Sequence, residues 1–93
     1  MQAEPIVHVD NERVRVTEWR FAEGATTGHH RHEFAYVIVP LADGALRITL
    51  PDGSVSEAPM ARGKSYYRDA GVEHDVQSAG AGPFAFVEIE IKG

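Results

Sequence analysis

Leu46-Arg47-Ile48-Thr49-Leu50-Pro51-Asp52-Gly53 settles the kind of fold. Side chains in an extended strand alternate between two faces, so Leu46, Ile48 and Leu50 fall on one side and Arg47 and Thr49 on the other. Pro51 fixes φ and Gly53 closes a tight turn, which makes the segment one arm of a hairpin returning through residues 54–59. The same period-two pattern extends in both directions. Toward the N-terminus, residues 33–41 read as a buried strand. Before it, Arg13-Val14-Arg15-Val16 alternates in one register and Trp19-Arg20-Phe21 in the other, which predicts a bulge near Thr17-Glu18 or a strand covered on both faces. Residues 5–9 form a candidate edge strand, free to pair or to exchange with a second chain. Toward the C-terminus, residues 64–68 make a short aromatic strand and Asp69-Ala70-Gly71 a turn. In residues 72–77, Val72, His74 and Val76 share a face. Ala79-Gly80-Ala81-Gly82-Pro83 is a loop. Residues 84–91 close the chain, with Ala85, Val87, Ile89 and Ile91 on one side and Glu88 and Glu90 on a side expected to meet solvent. Seven or eight short strands with no significant helix predict an all-β barrel or sandwich.

The chain has 93 residues, of which 43% are hydrophobic, nine are Gly, five Pro and none Cys. That length suits one domain, residues 1–93, whose thin core leaves room for one small site. Without Cys there is no disulfide framework, thiol nucleophile, Cys-containing zinc site or thiolate-held iron–sulfur cluster. The net charge of −5, with basic residues scattered along the chain, argues against nucleic acid as a partner. The longest apolar run, residues 34–42, is about half of what a membrane-spanning helix needs. The opening Met-Gln-Ala-Glu-Pro lacks the basic and apolar regions of a secretion signal, so a cytoplasmic location is expected.

Three of the five histidines lie in Gly28-His29-His30-Arg31-His32-Glu33. In an extended chain His30 and His32 project to one face, with His29 and Arg31 on the other. His74 stands far away in sequence between two inward-facing valines. A barrel that brings the three imidazoles together would hold a divalent metal with positions left open for water or a ligand. The alternative reading of these residues is structural: His74 as a hydrogen-bonded core residue and residues 28–33 as a solvated turn. His8, with no partner in sequence, reads as strand packing. Trp19, Phe34 and Phe86 read as core, and Tyr66 and Tyr67 should face opposite ways.

The two histidine clusters resemble the two motifs of the cupin superfamily. Its first motif reads Gly, five residues, His-x-His, three or four residues, Glu, six residues, Gly. Here Gly24 is followed after five residues by His30-Arg31-His32, then after three residues by Tyr36, with Gly44 seven residues beyond. Its second motif reads Gly, five residues, Pro-x-Gly, two residues, His, three residues, Asn. Here it becomes Gly63, five residues, Asp69-Ala70-Gly71, two residues, His74, three residues, Ser78. The motifs thus cover residues 24–44 and 63–78.

The resemblance implies a small jelly-roll β-barrel of the cupin conserved-barrel type, with His30, His32 and His74 as ligands of a divalent metal ion such as Fe, Zn, Ni or Mn. Tyr36 replaces the motif's ligating Glu. With the strand unbulged its phenol would lie beside the metal as a hydrogen-bond donor or acid–base group, making it the candidate catalytic residue; Glu33 would compensate only if a bulge re-aimed it. A three-histidine set is similar to that of cupin thiol dioxygenases. The implied activities are an iron-dependent oxygenase or a metal-assisted isomerase or lyase, and the rival is a non-catalytic metabolite-binding or accessory protein. Cupins also pair as homodimers. The chain further resembles short stand-alone cupins known as β-alanine degradation proteins, through residues 28–33, Val39-Pro40-Leu41, residues 71–74 and residues 86–90.

Overall fold

The structure, a computed structural model, describes residues 1–93 as nine strands and no helix. They are β1 (Glu4–Asp10), β2 (Val14–Phe21), β3 (His30–Arg31), β4 (Ala35–Pro40), β5 (Gly44–Thr49), β6 (Val55–Met60), β7 (Tyr66–Arg68), β8 (Glu73–Ser78) and β9 (Phe84–Ile91). A five-stranded sheet has the order β1-β2-β9-β4-β7 and a four-stranded sheet the order β3-β8-β5-β6. Every strand pairing is antiparallel. Two such sheets, facing each other with long connections between them, make the expected jelly roll. The hairpin read from Leu46–Gly53 is β5-turn-β6, with Gly53 at φ 87° and its amide donating to the Leu50 carbonyl at 2.9 Å.

One end of the barrel is closed by aromatic packing. Phe21, on β2, stands 5.4 Å from Phe86 and 6.4 Å from Phe84, both on β9, and Leu46, Met60, Ala25 and Ala3 belong to the same core cluster. Ile38, Leu46, Val76 and Phe86 belong to the core and also line the cavity above it. The opposite end is therefore free to be polar.

Two strand readings are corrected, and the alternative left for β2 falls to the strand that is apolar on both faces. No bulge occurs in β2, which pairs with β9 residue for residue from Val14 to Phe21; the irregularity lies across from it in β1, between Val7 and Val9. Apolar side chains switch parity along β2 because both of its faces carry them, Val14 and Val16 outward, Trp19 and Phe21 inward. The stretch 33–41 is not one strand from its start. The chain leaves the smaller sheet after Arg31 and joins the larger one at Ala35, so residues 32–34 form the corner between sheets. Finally, β9 is inverted relative to expectation: Phe84, Phe86 and Glu88 are buried, while Val87 and Ile89 face outward and Ile91 is exposed. Its outer residues extend an apolar row through paired positions on all five strands, Val9, Val16, Ile89, Val37 and Tyr67. No helix is long and apolar enough to cross a membrane.

Candidate metal centre

His30 and His74 lie directly opposite each other on paired strands β3 and β8, so their side chains leave the same face of the smaller sheet. His32 follows at the corner, two residues beyond His30. Its position is fixed by backbone bonds across the opening of the second motif: the His32 amide donates to the Val72 carbonyl at 2.8 Å and the Gly71 amide donates to the His32 carbonyl at 2.8 Å. Gly71 adopts φ 96°, a conformation that a side chain would strain, which explains a glycine at that turn.

The Nε2 atoms of the three rings converge. His30 Nε2 is 3.0 Å from His32 Nε2, which is 3.1 Å from His74 Nε2. His30 Nδ1 is 2.9 Å from the Gly28 carbonyl oxygen, an acceptor only. Nδ1 therefore carries the proton and Nε2 of the neutral ring is a bare lone pair aimed at the other two. Where facing nitrogens both present lone pairs they repel, and a cation among them would turn the repulsion into ligation. Nitrogens about 2.0–2.1 Å from a tetrahedral zinc would be slightly farther apart than these, so the donor set fits a divalent ion held by imidazole. His32 and His74 are 8% exposed. Burial, with repulsion between neighbouring imidazolium charges adding to it, pushes both imidazoles down to about 4. They are thus neutral, the form that ligates, at ordinary pH.

These rings open onto a cavity of about 440 Å³. Tyr36 lies in its wall with its ring stacked on His32, centroids 3.9 Å apart and planes 21° apart, and burial raises its phenol further above the ordinary range. Tyr66 faces inward and Tyr67 outward, which resolves the alternation left open by sequence. The Arg68 guanidinium sits 4.5 Å from the centre of the Tyr66 ring. Glu33 is exposed and stands outside the histidine cluster, so no bulge re-aims it as a ligand. His29 occupies the rim, 2.7 Å from the Glu73 carboxylate.

Glu88 and Glu90 are the residues the sequence reading misplaced. Both line the cavity instead of meeting solvent. Glu90 accepts two bonds from Arg15, at 3.0 and 2.8 Å. Glu88 is buried, 3.4 Å from the Trp19 indole nitrogen and 3.7 Å from His32 Nδ1. Burial, with Glu90 nearby, pushes its carboxyl up to about 7. The available signal was parity: both glutamates share a face with Phe84 and Phe86, whose rings had to be inside. Trp19 is also cavity wall more than core, Phe34 is half-buried outside the core cluster, and His8 is exposed and bonded to Glu18 at 2.9 Å instead of packing.

A jelly roll whose mouth gathers three imidazoles from a His-x-His corner and a distant strand defines a barrel protein equipped to hold a metal. The cupin domain model matches residues 17–90, and the chain belongs to that family. It is 56% identical over 91 residues to the β-alanine degradation protein BauB of Pseudomonas aeruginosa, covering 98% of this chain and 95% of that protein. A crystal structure of a cupin-domain protein from Bordetella pertussis superposes with a TM-score of 0.94 at 50% identity, covering 99% of this chain and 95% of that one. The polyketide cyclase RemF of Streptomyces resistomycificus superposes at 0.74 with 21% identity over 99% of this chain and 66% of its own, a likeness of fold.

Proposed function

We propose that this cupin holds a divalent metal ion through His30, His32 and His74 and uses it to bind and transform a small metabolite in β-alanine breakdown. The convergence of the three Nε2 atoms, with the His30 proton committed to the Gly28 carbonyl, carries the reading of the centre. The name of the Pseudomonas relative, 56% identical over nearly the whole chain, supports the pathway.

A bound divalent ion would supply a Lewis acid and a position for water or a ligand oxygen. The chain's own residues would do the rest. Ile38, Ile48, Val76 and Phe86 give the cavity an apolar wall. Tyr36, stacked on a ligand ring and kept protonated by burial, offers a hydrogen-bond donor beside the centre and is the residue we assign to proton transfer or substrate orientation. Arg31 at the rim is a fork for a carboxylate, whereas Arg15 is already held by Glu90.

Elemental analysis of the protein as purified, followed by titration with Fe(II), Zn(II), Ni(II) and Mn(II), tests the centre. One ion per chain is expected in the native protein and none in His30→Ala/His74→Ala. No stoichiometric metal in either would overturn the proposal. Incubating the loaded protein with β-alanine and its three-carbon breakdown products then separates turnover from binding: consumption identifies an enzyme, and a thermal shift without consumption identifies the accessory role.

A further inference from the structure

We propose that Glu88 is the positioning carboxylate of this centre: from β9 it accepts the Nδ1–H of His32, holding that ring in the tautomer whose Nε2 is bare and directed at the other two imidazoles. The inference rests on the reading of the three histidines as a metal site.

Each ligand imidazole must present a lone pair, which requires its other nitrogen to carry the proton and to have somewhere to donate it. His30 has the Gly28 carbonyl. His32 sits at a corner where no carbonyl approaches its Nδ1; the acceptor there is the Glu88 carboxylate, with Oε2 at 3.7 Å. That is an ion-pair distance, longer than a hydrogen bond, and the broad terminal torsion of a glutamate lets the carboxylate turn toward the ring. Besides Glu90, whose carboxyl lies close beside it, the partners of Glu88 favour the assignment. Trp19 Nε1 approaches Oε1 at 3.4 Å, which leaves Oε2 for His32. Arg15 is engaged bidentately by Glu90, so no guanidinium competes for Glu88. The His32 ring is confined on one face by Tyr36.

The register explains how this carboxylate replaces the one the family motif would place at position 36. Tyr36 pairs with Glu90 and Ile38 with Glu88, so strand β9 delivers two inward acidic residues beside the position where the motif's Glu would stand. The acidic group would thus stand behind a ligand ring instead of on the ion itself. Three imidazoles would hold the ion, with the compensating charge one imidazole away.

The full-length protein, metal-free and at pH 8, tests the tautomer directly by imidazole nitrogen-15 chemical shifts. His32 is expected as the Nδ1–H form in the wild type and in Glu88→Gln, whose carbonyl still accepts the bond, and as a mixture or the Nε2–H form in Glu88→Leu. Competition titration with Zn(II), with Co(II) as the spectroscopic probe, reads the consequence: affinity lowered about 10–100-fold in Glu88→Leu and largely rescued in Glu88→Gln, with an altered cobalt visible band in the leucine variant. Unchanged affinity and unchanged His32 shifts in Glu88→Leu would overturn the proposal, as would equal losses in both variants. If the wild type binds no zinc or cobalt, the metal reading fails and takes this inference with it, an outcome read from the wild-type titration alone.

Discussion

The buried groups of the cavity set an acid response that can be worked out before it is measured. In the metal-free protein His32 and His74 are pushed down from 6.5 to about 4, so as pH falls from 6.5 the unfolded chain takes up two protons that the folded chain refuses. Folded-state values below the unfolded ones mean stability that is complete above 6.5 and is lost as pH drops toward 4. Glu88 acts the other way. Raised from 4.5 to about 7, it keeps its proton in the fold while the unfolded chain gives it up, contributing stability that is present below 4.5 and lost as pH rises through 7. Between pH 4.5 and 6.5 the net difference is one proton, and stability should climb with pH by about 1.4 kcal/mol per pH unit. Glu88→Gln resembles the protonated carboxyl present in that window and removes its titration. Two protons then remain, and the slope should double to about 2.7 kcal/mol per pH unit. Surface carboxylates held by ion pairs, such as Asp10 with Lys92 and Glu18 with Arg20, contribute equally to both proteins and cancel in the comparison. Urea unfolding with a chelator present, at half-unit steps from pH 4.5 to 6.5 and with the m-value checked for constancy, gives both slopes. A variant slope equal to or shallower than the wild type would refute the assignment of opposing buried titrations.

Packing and association supply the remaining expectations. A Cβ on Gly44 would lie 2.7 Å from Phe84 Cδ1, so Gly44→Ala should cost about 1–3 kcal/mol in denaturant unfolding through displacement of an aromatic core ring, and an unchanged midpoint would mean that Phe84 yields freely. Ser78 Oγ is buried with no partner, so Ser78→Ala should be neutral or stabilising by about 1 kcal/mol in the same assay, whereas a clear loss would reveal an acceptor at that hydroxyl. The outward row Val9, Val16, Ile89, Val37 and Tyr67 is the face expected to join two copies of the chain; Val37→Lys should convert a dimer to a monomer in sedimentation velocity, and a monomeric wild type would end that expectation.

Much of the barrel was legible because alternation and turn chemistry are local properties. The β5-turn-β6 hairpin and β8, with His74 and Val76 inward, follow from their own residues, and two spacings of glycine and histidine were enough to resemble a family. Residues apolar on both faces defeated the same reasoning. In β9 the β-branched Val87, Ile89 and Ile91 looked like the inner face, yet the larger sheet carries apolar residues outside as well, and the phenylalanines take the interior. The misreading of that one strand sent Glu88 to solvent and removed from view the carboxylate nearest His32. In β2 the parity change that suggested a bulge reflects the same doubly apolar sheet.

The sequence by itself determined that the chain is all-β, that its turns fall at glycine- and proline-bearing segments, and that His30 and His32 leave an extended chain on one side. These are consequences of dihedral preference and a two-residue period, which act over a few bonds. Only the tertiary structure decided that His74 pairs across from His30, that Tyr36 lies flat on His32, and that Glu88 is buried behind that ring. Those relations depend on which strand lies beside which and which sheet face turns inward, and both are fixed by burying the phenylalanines of β2 and β9 in one closed end, a collective choice that no single segment encodes.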